Sequence, residues 1–330
     1  MKGKKIVSTL LALLLLASLP VSALAAEWDI GKGDITVNAG SGGQTVTQGG
    51  GAAIPDSAPV ITGTSKENNV TINADSGQTA SVTLSGVNID VRDKGKAAVS
   101  TTGEGNVSIE LNGGSTLRSG YEHAGLEKNN GGSLTIADED KNGKLTAEGG
   151  YWGAGIGGGY NAKANNITVN GGIINAESVF GAAIGGGQGG NVDYINITGG
   201  VVDAVITYNA DDTDSYGCAI GSGADGEAEN IYISGGIVTA HGGYKSYALG
   251  GCKNCESNRN YIIDGGLVYL ADDESMCLKP FSSDKLVNNS GDQVYPIAIS
   301  NPNCEEITIN GTTQQYRFLS SSDMTFYAYV

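Results

Sequence analysis

The sequence predicts an all-β chain: a parallel β-helix of about 28–30 residues per coil, capped at both ends. Three observations predict it. Glycine makes up 53 of 330 residues, about twice the usual share, without the strict three-residue period of collagen. Helix start and stop signals are nearly absent, while short β-branched alternations between glycine turns abound. Finally, one self-similar unit recurs along the chain, and such a repeat decides the architecture before any local reading does.

The unit is plainest in four copies. NITVNGGIINAESVFGAAIGGG begins at Asn166, and YINITGGVVDAVI begins at Tyr194 and leads to GCAIGSG. IYISGGIVTAHGG begins at Ile231 and leads to YALGGC; YIIDGGLVYLA begins at Tyr261 and leads to MCLKP. VSIELNGGSTL from Val107 and SVTLSGVNIDV from Ser81 are more divergent copies. An apolar landmark recurs at Val99, Leu126, Ile156, Ile184, Ile220, Leu249 and Leu278, at intervals of 27, 30, 28, 36, 29 and 29. The long interval holds an insertion, TYNADDTDSYG.

Each copy reads as three strands. A period-two strand such as Ile167/Val169 comes first, then a Gly-Gly turn, a second strand such as VVDAVI, and a third short strand at the landmark. Coils of this kind stack about 4.8 Å apart, so like residues form ladders inside. Residues 1–25 read as a secretory signal peptide: Lys2, Lys4 and Lys5 precede a short apolar run and an Ala-Leu-Ala cleavage site. Residues 26–98 are an N-terminal cap and first coils, and 99–311 are the repeats, with EEITING as a last coil. Residues 312–330 are a C-terminal cap or the start of a following module.

Removing the leader lowers the formal charge from −16 to −19, which argues against nucleic acid and anionic membranes as partners and is compatible with divalent cations. No apolar run after the leader is long enough for a transmembrane helix. The five cysteines, Cys218, Cys252, Cys255, Cys277 and Cys304, lack the second C-x-x-C or histidine that a zinc knuckle needs. They read as packed thiols or one local disulfide.

Four constellations carry candidate chemistry. YWGAGIGGGY contains G-x-G-x-x-G at Gly153, Gly155 and Gly158, but no helix follows and later copies drift, so it reads as a repeated corner rather than a phosphate loop. Four residues before successive landmarks stand Trp152, Phe180 and Tyr216, expected to lie one above another; Tyr121 and Tyr151 fall one residue earlier and form a second pair. Stacked aromatic faces suit the apolar faces of sugar rings, though they also serve simply to pack. The turn DEDKNG offers Asp138, Asp140 and Asn142 as calcium ligands, without the twelfth-position glutamate or helices of an EF-hand. A second acidic cluster, Asp211, Asp212 and Asp214, lies in the insertion; a solvated acidic turn is the plain alternative for both. Catalytic residues are not legible. His123 and His241 lie coils apart, Arg118 and Arg259 stand away from the acidic clusters, and Asp203 with the 211–214 group is the one carboxylate set for a hydrolase.

GYWGAGIGGGYNAKANNITVNGGIINAESVFGAAIGGG resembles the glycine-rich repeats of clostridial secreted and cell-surface proteins, over residues 34–271. The resemblance implies a right-handed parallel β-helix like that of clostridial carbohydrate-binding proteins related to pectate lyases. For some relatives it implies calcium-dependent binding of acidic plant polysaccharide without cleavage. No ligand residue carries over, because the matching motif is structural glycine and strand. The expectation is a secreted, non-catalytic polysaccharide-binding protein at the bacterial surface or on surrounding glycans, with calcium as its one candidate cofactor. A structural spacer or protein adhesin presenting the insertion is the alternative, and a polysaccharide lyase or glycoside hydrolase ranks third.

Overall fold

The computed structural model describes residues 25–207, 216–242, 247–251 and 260–271, with short strands beyond. The signal peptide, the acidic insertion with Asp211, Asp212 and Asp214, Arg259, Leu278 and the four later cysteines lie outside the described residues.

The chain is an all-β parallel solenoid, and each coil has three faces. The narrow first face is a ladder of eight parallel strands: Ile35–Gly40, Val70–Ala74, Val99–Thr102, Leu126–Lys128, Ile156–Gly157, Ile184–Gly185, Ile220–Gly221 and Leu249–Gly250. The landmark residues sit in register on it: Val99 with Leu126, then Ile156, Ile184, Ile220 and Leu249. The expected intervals are therefore the coil lengths. The 36-residue interval carries its insertion without disturbing the register, as a surface loop can.

The second face stacks Thr79–Ser85, Asn106–Asn112, Leu134–Ala137, Ile167–Val169 and Ile195–Ile197. The third stacks Asn88–Asp90, Gly114–Arg118, Lys144–Glu148, Ile173–Ser178 and Val201–Ile206. In the last described coils both faces are carried by one long strand, Asn230–His241 and then Asn260–Ala271. Alternation places every second residue inside, so the core is a set of like-on-like columns. Ile136, Val169, Ile197, Ile233 and Ile263 form one, and Ala147, Ala176, Ala204 and Ala240 another; all are buried. Between second and third faces the chain turns at Gly172, Gly200, Gly236 and Gly266, with φ of 86°, 85°, 81° and 78°. A Cβ on Gly200 would stand 2.7 Å from the carbonyl oxygen of Gly172, so both backbone angle and coil spacing demand glycine.

The N-terminal end is closed by antiparallel pairing of Gly43–Gln48 on Ile35–Gly40, with Ile54–Pro55 outside it. Trp28 packs beneath, its Nε1 donating to Oδ2 of buried Asp56 at 2.8 Å. At the other end, Thr325–Tyr329 pairs antiparallel with Pro296–Ser300 and meets Asn260–Ala271 at Val268, as a cap would. The last-coil expectation for EEITING is corrected: Glu306–Ile309 pairs antiparallel with Thr312–Gln315 in a sheet of its own. No helix among the described residues is long and apolar enough to cross a membrane.

Candidate functional site

The glycine-rich corner resolves first. Among its backbone N–H groups, Gly155 donates to Ala182, Ile156 to Ala183 and Gly158 to Gly185, all carbonyls of the next coil. Gly153 and Ala154 donate within the corner, to Gly150 and Gly158. These five N–H groups are therefore committed and cannot cradle a phosphate. A Cβ on Gly153 would collide with the His123 carbonyl of the preceding coil, and one on Gly155 would stand 2.6 Å from the Ala183 oxygen. The glycines let successive coils approach.

The aromatic residues flank this corner. Backbone register follows the expected count: Trp152 N–H donates to the Tyr121 carbonyl and Phe180 N–H to that of Tyr151, one coil on. The rings follow it only in part. Tyr121 stacks on Tyr151 with centroids 5.3 Å apart and planes 11° from parallel, as the second-pair expectation has it. Phe180 then packs on Tyr151 rather than on Trp152, at 4.8 Å, and stacks on Tyr216 at 4.9 Å and 11°. Trp152 instead lies edge-on to Tyr121 at 4.6 Å and against Tyr160 at 4.6 Å, partly buried against the core.

The reason lies across the corner. Trp152 has an aromatic partner there in Tyr160, whereas the residue one 28-residue coil on from Tyr160 is Gln188, so apolar Phe180 gains more by turning inward. Phe180 is 4% exposed and Tyr216 fully buried. The expectation that these two rings face a ligand is corrected: they form the interior root of the stack. Tyr121, at 52%, and Tyr160, at 41%, lie open to solvent, with Trp152 and Tyr151 half-buried between. Tyr160 escapes a count based on residues before the landmark because it follows it. Its signal is the tyrosine closing the YWGAGIGGGY corner.

Polar groups border this platform. Gln188 donates its N–H to the Trp152 carbonyl, and its own carbonyl accepts from Asn161. Its side-chain Oε1 is buried without a protein partner. On the other side His123 Nδ1 lies 2.8 Å from Oε2 of Glu127, which also accepts the Ala124 N–H, while Oε1 accepts from Asn129. The bond to Glu127 raises the His123 pKa against the opposing effect of burial. That pair is tied into the wall by the bonds Glu127 accepts from Ala124 and Asn129.

The acidic turn differs from its expected form. Asp138 and Asp140 come together with Glu110, one oxygen from each lying within 4.8 Å of the others. Asn142 braces the turn: its Oδ1 accepts the Gly113 N–H and its Nδ2 donates to Asp140. Glu110 belongs to the preceding coil, and pairing Glu110 with Ala137 in register is what sets it beside Asp138. Counting back one coil length from the acidic turn is the signal that finds it. Burial raises the Glu110 pKa, and repulsion from Glu139, Asp138 and Asp140 adds to this against the N–H bond from Glu139.

On the third face Arg118 donates to Glu148 at 2.7 Å, and Glu177 follows Glu148 in register. Burial raises the pKa of Glu177, with Glu148 next, and burial raises that of Asp203, whose Oδ1 is buried without a hydrogen bond. No protein family, curated protein or solved structure matches the chain.

Proposed function

We propose that the protein is a secreted, non-catalytic polysaccharide-binding solenoid acting at the bacterial surface or on surrounding glycans. One observation carries this reading: Tyr121, Trp152 and Tyr160 form a solvent-facing aromatic platform on a corner locked by hydrogen bonds from coil to coil. A sugar ring presents C–H groups to such faces, and the platform loses little entropy on binding because Tyr151, Phe180 and Tyr216 brace it from behind. The leader-like N-terminus supports secretion.

Calcium belongs to the same proposal at a second place. Glu110, Asp138 and Asp140 offer hard oxygen ligands, which suits Ca²⁺ with waters completing its shell. A glycan array probed with the leaderless chain, with and without Ca²⁺, tests the reading. Retention on at least one pyranose polysaccharide is expected. Silence across plant, host and microbial glycans would overturn it.

A further inference from the structure

We propose that Tyr194 and Tyr232 form a second subsite that takes a neutral pyranose ring. This rests on the polysaccharide-binding reading. The residue opening each second-face strand belongs to a column. Ile167 pairs with Ile195 and Ile195 with Ile231, so Asn166, Tyr194 and Asn230 are equivalent, and Asn260 pairs with Asn230. Asparagine holds the column on both sides of Tyr194. At Asn166 the backbone is left-handed, with φ 58°, a conformation asparagine tolerates. Tyr194 adopts the same conformation at φ 73°, where a bulky side chain costs about 1 kcal/mol or more.

That strain secures little packing. The Tyr194 ring is 41% exposed, and its one aromatic neighbour among the described residues is half-buried Tyr232, with centroids 5.2 Å apart and planes tilted by 46°. Strain retained at an exposed aromatic points to a ligand contact. Asn196 pairs in register with Tyr232 and is the hydrogen-bonding amide alongside; Asn230 braces the pair, its Nδ2 donating to Asp193 Oδ1 at 2.7 Å and its Oδ1 accepting from the Tyr232 hydroxyl at 3.5 Å. Tyrosine faces for the C–H side of a sugar, with amides for its hydroxyls, are the elements of pyranose recognition. Asp193 places negative charge beside the pair on a chain of net charge −16, which favours a neutral ring over a uronate.

The subsite lies within reach of the platform. Tyr160 and Asn166 are six residues apart, and Tyr194 is one coil above Asn166, so the span from Tyr160 is at most about 25 Å. One polysaccharide chain can touch both, and the second contact then acts by effective concentration.

Affinity electrophoresis of the leaderless chain through gels containing hydroxyethylcellulose, galactomannan or polygalacturonate tests this, using wild type, Tyr194→Asn and Trp152→Ala. Tyr194→Asn restores the residue found on either side in the column, so its melting temperature should hold or rise. Retention by a neutral polysaccharide should weaken roughly 2- to 10-fold. Unchanged retention in Tyr194→Asn with loss in Trp152→Ala overturns the subsite and leaves the platform standing. The reverse pattern overturns the platform and leaves the subsite. Weakening accompanied by a lower melting temperature assigns the ring to packing, and retention by polygalacturonate alone overturns the neutral-ring assignment. No retention of wild type on any of the three overturns both.

Discussion

The two ends of the aromatic stack come from equivalent places in successive repeats, yet one is only partly buried and the other lies inside the core. Trp152 and Phe180 make the same backbone hydrogen bond one coil apart. Trp152 packs on half-exposed Tyr160, while Phe180 lies buried between Tyr151 and Tyr216. The difference teaches that a column in a solenoid fixes where a backbone runs. What lies across the corner fixes which way a side chain points.

The sharpest way to break that comparison is Phe180→Ala. Emptying a buried phenyl site should cost about 3–5 kcal/mol, read as a lower denaturation midpoint. A cost below about 1 kcal/mol would mean that Phe180 does not brace the stack.

A second buried group sharpens what the interior tolerates. Lys128 lies in the inward column of Thr101, almost fully buried, and its Nζ donates to the Asn130 carbonyl at 2.7 Å. Burial pushes its pKa down to about 8 from 10.5. The unfolded chain therefore binds the proton more tightly between those values. Lys128 lowers stability below pH 8, and the penalty fades as pH rises toward 10.5. Lys128→Met should stabilise by roughly 1–3 kcal/mol at pH 7 and abolish that alkaline gain, as urea titrations across pH 7–10.5 would reveal.

At the more open end, Trp152→Ala should cost roughly 2–3 kcal/mol of stability, less than Phe180→Ala, since the indole is only partly buried against the core. It should nevertheless reduce polysaccharide retention. A loss of stability as large as that of Phe180→Ala would make the two ends of the stack alike and remove the distinction between platform and root.

The smallest effect concerns the acidic turn. Ca²⁺ should raise the melting temperature by roughly 1–3 °C at pH 7. It should do less near pH 4, because the raised Glu110 pKa keeps that carboxyl protonated there. Glu110→Gln should remove the response, and Asn142→Ala, which leaves all three carboxylates in place, should retain part of it.

The solenoid was legible because its period is written twice, in the Gly-Gly turns and in the landmark residues; Val99 through Leu249 stack as counted. The site was legible only in part. Counting from a landmark locates Trp152 and Phe180 but not the turn of their rings, which depends on Tyr160 in one coil and Gln188 in the next. Glu110 is a full coil away from the turn it completes, so local motif reading stops short of it. Asn142 looks like a ligand in sequence because its type is right, whereas its amide is already committed to Gly113 and Asp140.

Tryptophan fluorescence tests the platform most directly, since the chain holds two tryptophans, Trp28 under the N-terminal cap and Trp152 on the platform. A polysaccharide that retains the protein is titrated into wild type and Trp152→Phe. The expected result is a saturable change in emission in wild type that is absent from Trp152→Phe. The same change in both, or none in wild type at saturation, would contradict sugar binding at the platform.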